Sequence, residues 1–225
     1  MAKTILVVGA SRGLGLGLVG AYLAQGWDVV ATSRGDAGAL HDLAATHDRL
    51  RLETLDVTDA AAIAALKTKL GSTTLDVLFH SAGTMSDQSA KAANIAAEEF
   101  ARVMVTNALA PLKVIEALGD RVSRDGAIVA MTSVLGSVGG NTSGGYEVYR
   151  ASKAALDSLL RSYAARHTDR AVIAMHPGWV RTDMGGPQAA LSVEESVKGM
   201  LAAIDARRGK PGCVFIDYRG QTIPW

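Results

Sequence analysis

Short apolar runs alternate with stretches of helical periodicity along the whole chain. Residues 4–8 form a continuous β-branched and leucine run that ends at Gly9, the pattern of a strand buried on both faces. Leu16, Val19 and Leu23 then recur at helical spacing as far as Gln25-Gly26. Residues 27–32 read as a second strand, 36–47 as a helix and 50–55 as a third strand. Thr58 or Asp59 can cap the alanine-rich helix that follows and runs to Leu70. Residues 75–79 are a fourth strand. Residues 96–118 read as one long helix, in which Pro111 predicts a kink or a break because proline has no N–H to donate. Residues 126–131 are a fifth strand, followed by a Gly/Ser-rich loop over 134–145 and a helix from Tyr149 to Arg166. Residues 171–175 are a sixth strand. Residues 183–190 suit a short substrate lid with Gly185 and Gly186 as hinges. Ser192-Val193-Glu194-Glu195 is a helix-capping signature, and 213–216 are the last strand. No repeat or linker interrupts the alternation, so residues 1–225 are expected to form one α/β domain.

Composition narrows the class. A chain of 225 residues, 48% hydrophobic and with 24 glycines, can build a buried sheet with many tight turns. The 23 basic and 22 acidic residues nearly cancel, which argues against a nucleic-acid or membrane partner. Cys213 is the single cysteine, and no apolar stretch approaches the length of a membrane span. A soluble cytoplasmic protein is expected.

Two patterns carry chemistry. The first is Gly9-Ala10-Ser11-Arg12-Gly13-Leu14-Gly15, placed between strand and helix in a unit of about 30 residues, the size of a βαβ unit. Glycines there let the backbone approach a pyrophosphate, whose charge meets the positive end of the helix dipole. The second strand ends in Thr32-Ser33-Arg34 with no acid at its tip. Arg34 and Arg12 suit the dianionic 2′-phosphate of NADP(H), so NADP(H) is favoured over NAD(H), although Asp36 nearby works against it. The second pattern is Tyr149 and Lys153, one helical turn apart. An ammonium beside a phenol favours the phenolate, which would bring the phenol closer to useful acid–base range. Taken alone, the pair is equally a half-exposed helix face. His80 reads as structural, Asn107 as a packed residue bonded to backbone, and Pro177-Gly178 as a turn.

The spacing Gly-x-x-x-Gly-x-Gly differs from the common dinucleotide fingerprint and resembles that of the short-chain dehydrogenase/reductase family, with Val8 where the family usually has Thr. The resemblance implies a doubly wound, Rossmann-type parallel sheet of about seven strands with helices on both faces. It places Asp56 and Val57 beside the adenine, and Ser81, Ala82 and Gly83 beside the cofactor, with His80 and Ser81 replacing the usual Asn-Asn. Pro177 and Gly178 become a cofactor-binding turn whose Val180 and Thr182 bond the nicotinamide carboxamide. Asn107, Ser133, Tyr149 and Lys153 match the family's catalytic set. Ser137 competes with Ser133, but Ser133 ends a strand, where open α/β sheets place ligands. The segments Gly-Tyr-Glu-Val-Tyr-Arg-Ala-Ser-Lys, His-Pro-Gly-Trp-Val-Arg-Thr-Asp-Met-Gly-Gly and Ile-Pro-Trp resemble the C-factor and sniffer-like carbonyl reductase branch. Reversible carbonyl reduction is the implied activity; a nucleotide-binding regulator with little turnover is the alternative. Ser133, Val134, Leu135, Tyr146, Trp179 and Met184 would line a mostly apolar substrate pocket. The family's habit implies a homo-oligomer.

Overall fold

The computed structural model describes residues 2–35, 37–87 and 91–225. Its strands are β1 (Thr4–Val8), β2 (Asp28–Ser33), β3 (Leu50–Thr54), β4 (Leu75–His80), β5 (Val122–Met131), β6 (Ala171–His176) and β7 (Gly212–Asp217). They pair in parallel as one sheet in the order β3-β2-β1-β4-β5-β6-β7. The chain works outward from β1 to β3, returns to β4 beside β1, and works outward again to β7. The crevice at the carboxyl ends of β1 and β4 is therefore the switch point where such sheets bind ligands.

Helices cover both faces. α1 (Gly13–Ala24), α2 (Gly38–Thr46) and α7 (Val193–Arg207) pack on the side that receives Ile5, Val7, Val77 and Phe79. α3 (Ala60–Leu70), α5 (Ala110–Leu118) and α6 (Glu147–Arg166) pack on the side that receives Leu6, Val8, Leu78 and Ile128. In the inner strands successive residues thus enter opposite cores, which is why those strands read as unbroken apolar runs, whereas the edge strand β3, Leu-Arg-Leu-Glu-Thr, alternates.

Most element ends lie within one or two residues of those expected. β5 is the exception and begins at Val122. Ser123, Arg124 and Asp125 give no apolar signal, yet the stretch is drawn into the sheet because Val122 pairs with Leu75. α2 starts at Gly38; Asp36, expected to open it, lies outside the described residues. Asp59, not Thr58, caps α3 by accepting the Ala61 N–H at 2.8 Å. Ser192 and Glu195 form the reciprocal capping box of α7.

The long helix is neither broken nor simply kinked at Pro111. α4 (Ala97–Met104) runs through a π turn at Val105–Leu109 into α5, and Pro111 falls in the first turn of α5. The Ala110 N–H reaches back five residues to Val105 O. Widening the turn absorbs the missing proline N–H, and a first-turn proline is tolerated. The segment after β6 also differs from a hinged lid. Its neck is tied by Leu191 N–H to Trp179 O at 3.0 Å and Arg181 N–H to Leu191 O at 2.9 Å. A Cβ on Gly185 would lie 2.0 Å from Val180 O, so this glycine serves a tight turn rather than a hinge. Among the described residues no helix is long and apolar enough to cross a membrane.

Candidate active site

The glycine loop sits at the switch point and is held from both sides. Ala10 N–H donates to Thr32 O at 2.7 Å and Gly9 N–H to the buried Thr32 hydroxyl at 3.2 Å. From β4, Ser81 N–H and Ala82 N–H both donate to Val8 O, at 2.8 and 3.1 Å. A Cβ on Gly15 would come within 2.2 Å of Gly9 O, which makes α1 start flush against the loop. The first turn of α1 has no acidic residue and no side-chain cap, so its N–H groups are left to an anion. Around this cradle, Ser11, Gly13 and Leu14 are half-buried and Arg12 is exposed. Arg12 Nη1 is 2.6 Å from Asp183 Oδ2, an ion pair between two well-exposed side chains. Ser33 donates to Gly35 O at 2.9 Å, and Arg34 is exposed. Asp56 accepts both the N–H and the hydroxyl of Thr58, at 2.9 and 2.7 Å. Those two bonds, and then Arg34, lower its pKa. Val57 beside it is buried. Pro177 O accepts the buried Ser196 hydroxyl at 2.6 Å, Gly178 has φ +83°, and Thr182 Oγ1 accepts Gly185 N–H at 3.1 Å. Val180, buried, bridges to Leu191 and anchors this turn.

The four residues expected to be catalytic converge at the carboxyl edge of β5. Tyr149, Lys153 and Asn107 are buried, and Ser133 is 9% exposed. The Ser133 hydroxyl acts on the Tyr149 phenol, favouring its ionised form, and accepts the Leu135 N–H at 3.1 Å. Ser137 likewise accepts a backbone N–H, that of Gly140 at 3.0 Å. Lys153 Nζ donates to Met131 O at 2.9 Å and lies 5.6 Å from the centre of the Tyr149 ring. The Asn107 side chain is fully used. Its Oδ1 accepts Thr84 N–H at 2.8 Å, and its Nδ2 donates to Thr84 O at 2.8 Å and Ser152 Oγ at 3.0 Å. Ser152 in turn donates to Tyr149 O at 2.8 Å, so Asn107 joins the segment just after Gly83 to the helix of Tyr149. Pro111, four residues on, has no N–H to offer the Asn107 carbonyl.

One electrostatic expectation is overturned. Burial pushes the Tyr149 phenol up to about 12; the Ser133 hydroxyl opposes this and Asp157 adds to it. Lys153 is not among the groups that counter the rise, and burial pulls Lys153 itself down to about 8. Desolvation of both groups outweighs their proximity. His80 is buried and held neutral, pushed down to about 3 mainly by burial. No chemistry converges on it, in keeping with a structural histidine.

The expected substrate residues rim the same edge. Val134 and Leu135 follow Ser133, Tyr146 precedes α6, and Trp179 and Met184 follow β6. Val134, Tyr146, Trp179 and Met184 are exposed apolar side chains. Arg150 was not anticipated from sequence. Its guanidinium donates to Gly144 O, Gly145 O, Leu135 O and Ser143 Oγ at 3.0–3.4 Å, fastening both ends of the loop that joins Ser133 to Tyr149. Arg150→Ala is expected to raise the rate of limited proteolysis within residues 138–145 on the order of tenfold while barely moving the thermal midpoint. An unchanged cleavage rate would show that the loop does not depend on this clamp.

Residues 3–191 match the short chain dehydrogenase family. The chain belongs to that family. Among short-chain dehydrogenases it falls in the C-factor and sniffer-like branch. It is 39% identical to C-signal of Myxococcus xanthus over 155 residues, 67% of this chain and 93% of that one. A short-chain dehydrogenase/reductase from Burkholderia multivorans, solved with NADP bound, is 47% identical with a TM-score of 0.97 over all of both chains. A carbonyl reductase from Pseudomonas aeruginosa PAO1 in complex with NADP is 40% identical with a TM-score of 0.93, again over all of both chains. One feature of this short-chain dehydrogenase that the sequence motifs did not flag is the buried carboxylate of Asp157. The signal was present, since an acid four residues after Lys153 shares the helix face that carries Leu156 and Leu160 inward.

Proposed function

We propose that this short-chain dehydrogenase reduces carbonyl compounds to alcohols with NADPH, using Tyr149 as the proton donor. The observation that supports this most directly is the convergence of Tyr149, Ser133 and Lys153, all buried at the sheet's carboxyl edge, with Lys153 Nζ 5.6 Å from the centre of the Tyr149 ring. A phenol with a pKa near 12 is protonated at neutral pH, the form needed to give a proton to a developing alkoxide. Ser133 holds the substrate oxygen beside the phenol, and the Lys153 ammonium adds positive potential where negative charge grows. NADPH supplies the hydride when bound. The glycine cradle and the acid-free first turn of α1 fit its pyrophosphate, and Arg34 with Arg12 fit the 2′-phosphate, against which Asp183 would have to release Arg12. The NADP held by the Burkholderia and Pseudomonas relatives supports the same cofactor here. The apolar rim of Val134, Leu135, Tyr146, Trp179 and Met184 favours a hydrophobic carbonyl substrate.

Oxidation of NADPH and NADH should be followed against a panel of aldehydes, ketones and quinones. Turnover is expected with NADPH, and Arg34→Ala should raise the KM for NADPH by about tenfold or more while leaving that for NADH little changed. The identity with a protein named C-signal favours a second reading, a nucleotide-binding signalling protein. Nucleotide binding without turnover across the whole panel would select that reading over catalysis.

A further inference from the structure

The inward face of α6 carries a third ionisable side chain one turn beyond Lys153. Asp157 is 4% exposed, and neither carboxylate oxygen has a well-formed hydrogen bond among the described residues. A carboxylate in such surroundings is costly, and an apolar side chain would pack there at lower free energy. Its neighbours show what it does. The Thr132 hydroxyl, itself 2% exposed and without a well-formed hydrogen bond, acts on this carboxylate and favours its ionised form. Gly136 leaves it room: a Cβ there would lie 2.6 Å from Asp157 Oδ2. Thr132 stands between Met131, whose carbonyl holds Lys153 Nζ, and Ser133, whose hydroxyl acts on the Tyr149 phenol. One carboxylate therefore reaches the strand end that carries both supports of the Tyr149–Lys153 pair.

We propose that Asp157 is a positioning residue for the reduction: a buried carboxylate, set between α6 and the 132–136 turn, whose charge favours the ammonium form of Lys153. Its consequence for rate rests on the carbonyl-reductase reading; its effect on Lys153 does not. The charges around it agree. Burial lowers the Lys153 pKa and Asp157 raises it; burial raises the Asp157 pKa to about 7, and Thr132 and then Lys153 oppose that rise. The other groups that feel this carboxylate are Tyr149 on α6 and Cys213 on β7, and it pushes both up, favouring their neutral forms. Arg161, one turn further along α6, acts on Cys213 and lies over the Trp225 ring. His80 on β4 faces Lys153 and is neutral. Lys153 is thus the group among these whose charged form Asp157 favours.

The test is an NMR titration of the Lys153 side chain in the full-length protein, assigned with Lys153→Arg, alongside NADPH-linked carbonyl reduction as a function of pH. In Asp157→Asn, which keeps size and an acceptor for Thr132, the Lys153 midpoint should fall by about one pH unit or more. The alkaline limb of the rate profile should move with it, and kcat should fall more than KM changes. Thr132→Val, isosteric and unaltered in charge, removes the hydroxyl that favours ionised Asp157. It should move the Lys153 midpoint in the same direction by a smaller amount, and it serves if Asp157→Asn does not fold. An unmoved Lys153 midpoint in the folded variants overturns the proposal. A moved midpoint in a protein that reduces no carbonyl upholds the counter-charge and rejects the carbonyl-reductase reading.

Discussion

Tyr149→Phe is expected to lower kcat for carbonyl reduction by about 10²–10⁴-fold, the range lost when a positioned proton donor is removed. NADPH binding should persist, because the variant deletes one oxygen and leaves the cradle and Lys153 in place. Stability should fall by no more than about 1 kcal/mol, the net worth of one hydrogen bond made by the lost hydroxyl. The parent's pH profile follows from the same groups. The phenol is raised to about 12 and stays protonated throughout the neutral range. Lys153 is lowered to about 8, so its ammonium is complete below that value and lost above it. Reduction should therefore hold level up to about pH 8 and decline beyond. Alcohol oxidation needs the phenolate and should gain on reduction as pH rises. Steady-state rates in both directions, with circular dichroism of the variant, check these expectations. A Tyr149→Phe variant that folds, binds NADPH and reduces ketones at the parental rate removes Tyr149 from the chemistry.

The second large effect belongs to Gly9. Its φ is +83°, and a Cβ there would lie 2.7 Å from the N, Cα and Cβ of Ala82. Alanine therefore meets two costs: an unfavourable backbone conformation, and overlap with a segment whose N–H groups are already bonded to Val8 O. Together these should destabilise by about 2–5 kcal/mol, and the thermal midpoint should fall by roughly 5–15 °C for a domain of this size. NADPH affinity should fall with it, since pushing Ala82 away opens the crevice between β1 and β4. Gly20→Ala is the contrast. It lies inside α1 with no atom within 4 Å of its would-be Cβ, so alanine there should be neutral or stabilising by up to about 1 kcal/mol. Differential scanning calorimetry of the two variants separates the site-specific cost from a general intolerance of alanine. A Gly9→Ala midpoint equal to the parent's would mean the loop can shift away from Ala82.

Much of the fold was written in the order of residues. Six of the seven strands send side chains into both cores and read as apolar runs, edge strand β3 being the exception, and glycine spacing marked the switch-point loop. The Tyr149–Lys153 and Ser192–Glu195 spacings gave local geometry because a helix fixes which residues share a face. Polar Ser123, Arg124 and Asp125 hid the start of β5, whose pairing depends on a partner about fifty residues away in sequence. The π turn before Pro111 was hidden too, since a proline can be absorbed in more than one way and packing selects among them.

Sequence by itself determined the alternation of strands and helices and the placing of the glycine cradle between β1 and α1. Only the tertiary structure decided the rest. It set the Ser133 hydroxyl where it acts on the Tyr149 phenol, a neighbour that spacing along the chain does not fix. It reversed the expected shift of Tyr149, because desolvation depends on what packs around a group and not on spacing along a helix. It also brought Asp157, Thr132 and Gly136 together behind Lys153. Contacts between a helix and a strand end are set by how the layers pack, and no periodicity along either segment records them.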